Sequence, residues 1–313
     1  MNSEVKSIAL GGLTDVAGIL VGNAESKSGH TGCTVILCPS GATPGVDVRG
    51  GNPGTMLTDA IRPGMKDNPV RAILLTGGSN FGLPAVGGVM RWLVEHVVEE
   101  VPVVPAAVIY DIDYAKGSLP PDAAMAYAAC EAASPGRVAE GNVGAGAGAT
   151  VGKFYGRPMK GGLGTASIKI PGGPVVAALA VVNPLGDVWD QGHIIVGALQ
   201  PDGNFVNQTK AMLDGILSPL FFEPANTTIA VVATTAKLTR AEASRVAALA
   251  HDGMARVISP IHTQWDGDTI FCLALGTDKN YRLADDAAIT VVGTAAAVAI
   301  EKAIIRGAIA AQP

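Results

Sequence analysis

Glu223-Pro224-Ala225-Asn226-Thr227-Thr228-Ile229-Ala230-Val231-Val232-Ala233 is the stretch on which the fold turns. A proline-marked, irregular segment gives way at two threonines to an unbroken apolar run that reads as a strand from Thr227 to Thr235. If the peptide bond before Thr227 were cut, that residue would carry both a nucleophilic hydroxyl and an α-amine able to act as its base. The weak linker candidate, 207–226, ends at this point.

Downstream, Thr239-Arg-Ala-Glu242 forms a capping box in which the threonine and the glutamate satisfy each other's backbone donors. It opens a helix predicted to run toward Val257. Trp265-Asp266-Gly267-Asp268-Thr269-Ile270 then leads into a strand predicted over Ile270–Leu275. Two carboxylates are expected at that strand's tip around a glycine that permits close approach; an ordinary Asx turn would use the same residues. Ala287–Ile300 is an uncharged apolar tract shorter than a membrane span, and it runs into Glu301, Lys302 and Arg306. It reads as a buried helix.

Upstream, strands are expected over Gly18–Gly22, Thr31–Pro39, Gly45–Arg49, Arg71–Leu75, Val103–Ile112, Val175–Val182 and His193–Ala198. Val86, Val89, Leu93 and Val97 recur at helical spacing within Pro84–Val98, and Pro121–Ala133 is a second, Ala-rich helix. Gly141–Gly152 reads as a glycine-alternating loop. Several strands adjoin without room for a crossover, so the pattern predicts a mixed or mainly antiparallel sheet system covered by helices, not a Rossmann unit.

Composition narrows the function classes. With 48% hydrophobic residues but only 4% aromatics and 40 glycines, the core must be packed from small side chains. A net charge of −5 without a basic run argues against nucleic acid as a partner. Cys33, Cys38, Cys130 and Cys272 form no CxxC pair and read as buried thiols of a reducing cytoplasm. The Met1–Lys6 start has no apolar core of a signal peptide, and no membrane association is expected.

Near-motifs are instructive by their failures. Gly144 to Lys153 resembles a phosphate cradle, but Ala147 stands where its first glycine belongs and Phe154 follows the lysine. Gly77-Gly-Ser-Asn-Phe-Gly82 fits neither GxGxxG nor GxSxG and is better read as a wall of an active-site cavity. His30, His96, His193, His251 and His262 lack metal-ligand spacing, so neither a metal nor another cofactor is expected. Each histidine reads as a surface or packing residue.

Taken together, Val46–Gly50, Thr76–Leu83, Pro105–Asp111, Gly144–Lys153, Val181–Pro184, Asn226–Ile229 and Asp266–Thr269 resemble, in order and spacing, the L-aminopeptidase/D-esterase family. That family includes β-peptidyl aminopeptidases and the nylon-oligomer endo-hydrolase. The resemblance covers Leu10 to Ala308. It implies an α+β fold, an αββα sandwich like that of N-terminal-nucleophile hydrolases, formed as a single precursor of 313 residues. Self-cleavage between Asn226 and Thr227 would divide it into 1–226 and 227–313.

By the same resemblance Thr227 is the nucleophile, with Thr228 a rival by adjacency. Asp266 and Asp268 orient it, Lys153 tunes it, and Asn183 with Tyr110 lines the oxyanion position. Ser79 and Asn80 are expected at the substrate, and Asp111, with Asp113 behind it, is the match for acidic residues that grip a free amine. The implied activity is hydrolysis of amide bonds in small peptides or related amides. An acyltransferase of the ornithine acetyltransferase type and a noncatalytic binding protein are the alternatives. A homo-oligomer, a tetramer in many relatives, is the implied assembly.

Overall fold

A computed structural model describes residues 11–115, 117–215, 226–278 and 286–313. In chain order they begin with β1 (Leu20–Glu25), β2 (Gly32–Val48), β3 (Thr55–Met56), β4 (Val70–Thr76), α1 (Val86–His96), β5 (Ala106–Val108) and α2 (Ala123–Glu131). Next come β6 (Thr150–Val151), β7 (Met159–Lys160), β8 (Gly162–Lys169), β9 (Val175–Val182), β10 (Asp187–Asp190), β11 (His193–Val196) and α3 (Gln208–Leu213). The C-terminal part holds β12 (Ile229–Thr234), α4 (Arg240–Val257), β13 (Ile258–Ser259), β14 (Thr269–Ala274) and α5 (Asp286–Ala310). The expectations for 1–6 and for residues 216–225 of the break before Thr227 fall outside the described residues.

The main sheet follows the order β3-β5-β4-β2-β14-β12-β9-β8, with β1 also on β2. Strand β2 joins its two halves. Cys33–Leu37 pairs with β1 and β4, Thr43–Val48 pairs with β14, and a register shift between Leu37 and Ala42 separates them. The two strands expected at Thr31–Pro39 and Gly45–Arg49 are therefore one, because the chain passes from one layer to the other without leaving the sheet.

Period-two alternation fills the space on both sides of each layer. On β9, Val176, Ala178, Ala180 and Val182 join Met254, Ala299 and Ile300 of α4 and α5 in one core. Ala177, Leu179 and Val181 point the other way and meet Ile36, Ile73 and Leu75 of the opposite layer. On the far side Val35, Leu37 and Leu74 pack against Val89 and Leu93 of α1 and Ala126 and Ala129 of α2. The result is the expected αββα sandwich.

Small residues set how closely these layers approach. A Cβ added to Gly164 on β8 would lie 2.1 Å from the Ala303 carbonyl oxygen, so α5 rests almost on the strand backbone. Helix α5 runs on past the predicted Ile300 and is long and apolar enough to cross a membrane. Here it lies across β8, β9 and α4, with Ala296, Ala299, Ile300, Ala303 and Ile304 buried. Strand β8 was missed in the sequence because Gly162, Gly164 and Thr165 interrupt its apolar pattern. The strand expected over Val103–Ile112 shortens to β5, since Pro102 and Pro105 cannot donate to a ladder.

The topology gathers the chemistry at one edge. Strands β12 and β14 are parallel neighbours, Ile229 opposite Thr269, so the segments entering both lie side by side. Strand β9 runs antiparallel to β12, with Val181 opposite Ile229, and leaves the sheet at the same edge. Asn226–Thr228, Asp266–Asp268 and Asn183 thus converge from distant parts of the chain.

Candidate active site

Thr227 lies two residues before the start of β12 and is 4% exposed. Its N–H donates to the Asn183 carbonyl at 3.0 Å, and its Oγ1 donates to the carbonyl oxygen of Asn226. That same Asn226 oxygen accepts the Gly267 N–H at 3.2 Å. A hydroxyl therefore lies against the bond preceding it, while a backbone donor already polarises that bond's carbonyl. Thr228 is fully buried; its N–H is tied to Asp268 Oδ1 at 2.7 Å, and its hydroxyl makes no hydrogen bond.

Lys153 follows β6, anchored by its N–H on the Leu185 carbonyl at 3.1 Å. Its Nζ donates to Asn183 O at 2.9 Å and Asn183 Oδ1 at 2.7 Å. Lys153 Nζ and Thr227 N thus share one acceptor. Burial pulls the Lys153 ammonium down to about 7, against the opposing pull of Asp266, Asp111, Asp113 and Asp268. The neutral amine is therefore populated near neutral pH far more than it is in an exposed lysine.

Asn183 is wholly buried. Its Oδ1 also accepts the Thr150 N–H at 3.0 Å, and its Nδ2 donates to the Tyr110 carbonyl at 3.2 Å. Tyr110 thus meets this cluster through its backbone. Burial, then hydrogen bonding and repulsion from Asp113, raise the Tyr110 hydroxyl above its ordinary value.

Asp266 and Asp268 are both 0% exposed. Asp266 accepts from Leu185 N at 3.3 Å and from Thr263 N and Oγ1 at 3.0 and 2.5 Å. Burial raises its carboxyl, and the adjacent Asp268 raises it further. Asp268 accepts from Thr228 N, from His262 N at 3.2 Å and from His262 Nδ1 at 2.7 Å. Phe154 and Trp265, the neighbours of Lys153 and Asp266, bring their rings to 5.6 Å and give the site an apolar wall.

Asp111 is 2% exposed and lines a cavity of about 290 Å³ with Thr31, Gly78 and Asp113. Burial raises its carboxyl, while Thr31 and the Gly78 N–H, at 2.7 Å, favour the charge. The Gly77–Gly82 loop reaches this cavity through Gly78; Ser79 and Asn80 are not among its lining residues, and Asn80 is exposed. A larger cavity, about 640 Å³, between β10, α3 and the end of α4 holds none of the predicted site residues. Among the described residues, no cluster of three or more His, Cys, Asp or Glu side chains is arranged to hold a metal.

Sequence reasoning overlooked Gly267 as a donor and His262 as a partner of Asp268. The Asp-Gly-Asp triplet was the only local signal for the first. Nothing near His262 in the chain announces the second.

Residues 11–313 match the profile of peptidase family S58. The chain belongs to that family. It is 41% identical to an uncharacterized aminopeptidase of Mycobacterium leprae, over 96% of this chain and 90% of the relative. The 6-aminohexanoate-oligomer endohydrolase of a Kocuria species is 35% identical over 85% of this chain and 74% of its own. A Burkholderia beta-aminopeptidase superposes with a TM-score of 0.68 at 26% identity, covering 96% of this chain and 87% of that one. The L-aminopeptidase D-Ala-esterase/amidase of Ochrobactrum anthropi, described as a variant of the Ntn hydrolase fold, gives 0.72 at 22% identity, covering 97% and 88%.

As an S58 member this chain is a peptidase or amidase. The acyltransferase and noncatalytic alternatives are set aside on the same ground.

Proposed function

We propose that the chain cuts itself between Asn226 and Thr227 and that Thr227, as a new N-terminus, then hydrolyses amide bonds of small peptides carrying a free amine. The observation that carries this reading is the Thr227 hydroxyl lying on the Asn226 carbonyl while Gly267 N–H donates to the same oxygen.

In the continuous chain the Thr227 nitrogen belongs to a peptide bond, so another group must take the hydroxyl proton. Lys153 suits this role, with its proton affinity near neutrality and its Nζ on the acceptor shared with Thr227 N. Thr227 Oγ1 adds to the Asn226 carbonyl carbon and the C–N bond breaks as its nitrogen gains a proton. Water then hydrolyses the resulting ester, leaving an Asn226 carboxylate and a Thr227 amine. That amine, of ordinary pKa about 7.7–8.0, serves as base in later turnovers. There the hydroxyl attacks a substrate amide and water resolves the acyl-enzyme.

Asp111, next in the chain to Tyr110, suits the substrate's ammonium, since its cavity adjoins the Asn183 cluster through Tyr110. Assembly of processed protomers into a homo-oligomer in the cytoplasm completes the proposal. It is supported by the likeness to the family and by four buried, unpaired cysteines, and light scattering of processed protein tests the assembly. Intact-mass analysis tests the cut: native protein should yield fragments meeting at Asn226/Thr227, and Thr227→Ala should remain whole and inactive. Cleavage or full activity in that variant would refute the assignment.

A further inference from the structure

The residue behind Asp268 is His262, which enters the site from the segment between β13 and β14. Its backbone takes a φ of +56°, a left-handed conformation uncommon outside glycine. That turn lets one residue present two donors to one atom: the N–H at 3.2 Å and Nδ1 at 2.7 Å, both on Asp268 Oδ2. Because a carboxylate only accepts here, Nδ1 carries the hydrogen. The other Asp268 oxygen holds the Thr228 N–H at 2.7 Å.

The far side of the ring is closed. Its Nε2 is buried without a hydrogen bond, and the ring meets His251 of α4 edge to face at 4.9 Å. His251 is fully buried; burial first, then His262 and Arg49, hold it down to about 3, so it backs the site as a neutral ring. Its Nε2 lies 3.2 Å from the Asp47 carbonyl oxygen and 3.4 Å from Asp47 Oδ1 on β2. Asp47 in turn pairs with Arg49 at 2.8 Å. Arg49 N donates to the Asp268 carbonyl at 2.8 Å, tying the same strand back to the loop.

We propose that His262 is a positioning residue for self-cleavage and turnover: it clamps one oxygen of Asp268, so that the other holds the Thr228 N–H and sets the main chain carrying Thr227. The inference rests on Thr227 being the nucleophile. The charged and titratable groups around Asp268 are Asp266 on its own loop, Lys153 after β6, and His262, backed by His251 of α4 and by Asp47 and Arg49 of β2. Asp268 faces three donors.

Two substitutions separate the donor from the backbone, because asparagine and glycine both tolerate the left-handed turn. Asn can set its Nδ2 where the histidine Nδ1 stands; Gly cannot. In full-length protein, His262→Gly should slow both self-cleavage and kcat at least tenfold, of the order expected for a small misplacement of a reacting group, about 10²-fold at most. KM should stay constant. His262→Asn should stay within about threefold of native.

Native rates in His262→Gly would overturn the proposal, as would equal losses in the two variants. Circular dichroism confirms that both are folded before rates are compared. Thr227→Ala run in parallel distinguishes the levels: if it still cuts itself, the nucleophile is wrong. If it stays whole while His262→Gly is unaffected, only the role of His262 fails.

Discussion

Replacing Lys153 with Met should make the protein more stable and much less able to mature. Burial moves this ammonium from 10.5 to about 7, so across that window the folded chain binds fewer protons than the unfolded one and stability rises with pH. At about 1.36 kcal/mol per tenfold change in proton affinity, the lysine costs about 4 kcal/mol at pH 7. The cost falls to about 2 kcal/mol near pH 9 and vanishes above roughly pH 11.

Methionine removes the charge at similar volume and orphans neither acceptor, since Asn183 O keeps the Thr227 N–H and Asn183 Oδ1 keeps the Thr150 N–H. Allowing for two lost hydrogen bonds, the net gain at pH 7 should be about 1–3 kcal/mol. The comparison is best made on a Thr227→Ala background, where both chains stay uncut, by denaturant titration at pH 7 and near pH 10. The gap should narrow toward alkaline pH. With Thr227 intact, Lys153→Met should lose about 10²–10⁴-fold in self-cleavage rate, the range for a missing general base. A Met variant less stable at pH 7, or a stability gap equal at both pH values, would refute the reasoning.

Other substitutions probe the remaining assignments. A Cβ at Gly267 would lie 2.3 Å from the Asn52 carbonyl oxygen, so Gly267→Ala must shift the loop and draw its N–H off Asn226. Precursor followed by mass spectrometry should then disappear about 10²-fold more slowly, and a native half-time would exclude Gly267 as the donor. Asp111→Asn should lower kcat/KM for free-amine peptides by roughly 10- to 100-fold, the worth of a charge-assisted hydrogen bond, and leave N-acylated analogues unchanged. Equal loss on both substrate types would remove the cavity from substrate recognition.

How much was legible in the chain follows from the range of each interaction. The Thr239–Glu242 capping box appears as predicted, at the start of α4, because both partners sit within one turn. Strand β12 and the tip carrying Asp266 and Asp268 were legible from an apolar run and a glycine between two aspartates. The single strand β2 was not, since its two halves answer to different layers. Strand β8 was also hidden, because its glycines serve the close approach of α5 rather than any local pattern.

The site divides along the same line. The amino-acid order by itself determined the family, the layered fold and the candidate nucleophile, all readable from short motifs in sequence. Only the tertiary structure decided that Lys153 lies half-buried on the Asn183 carbonyl, that Gly267 meets Asn226, and that His262 backs Asp268. These depend on strands far apart in the chain ending at one sheet edge, and on a desolvation that no single segment can produce alone.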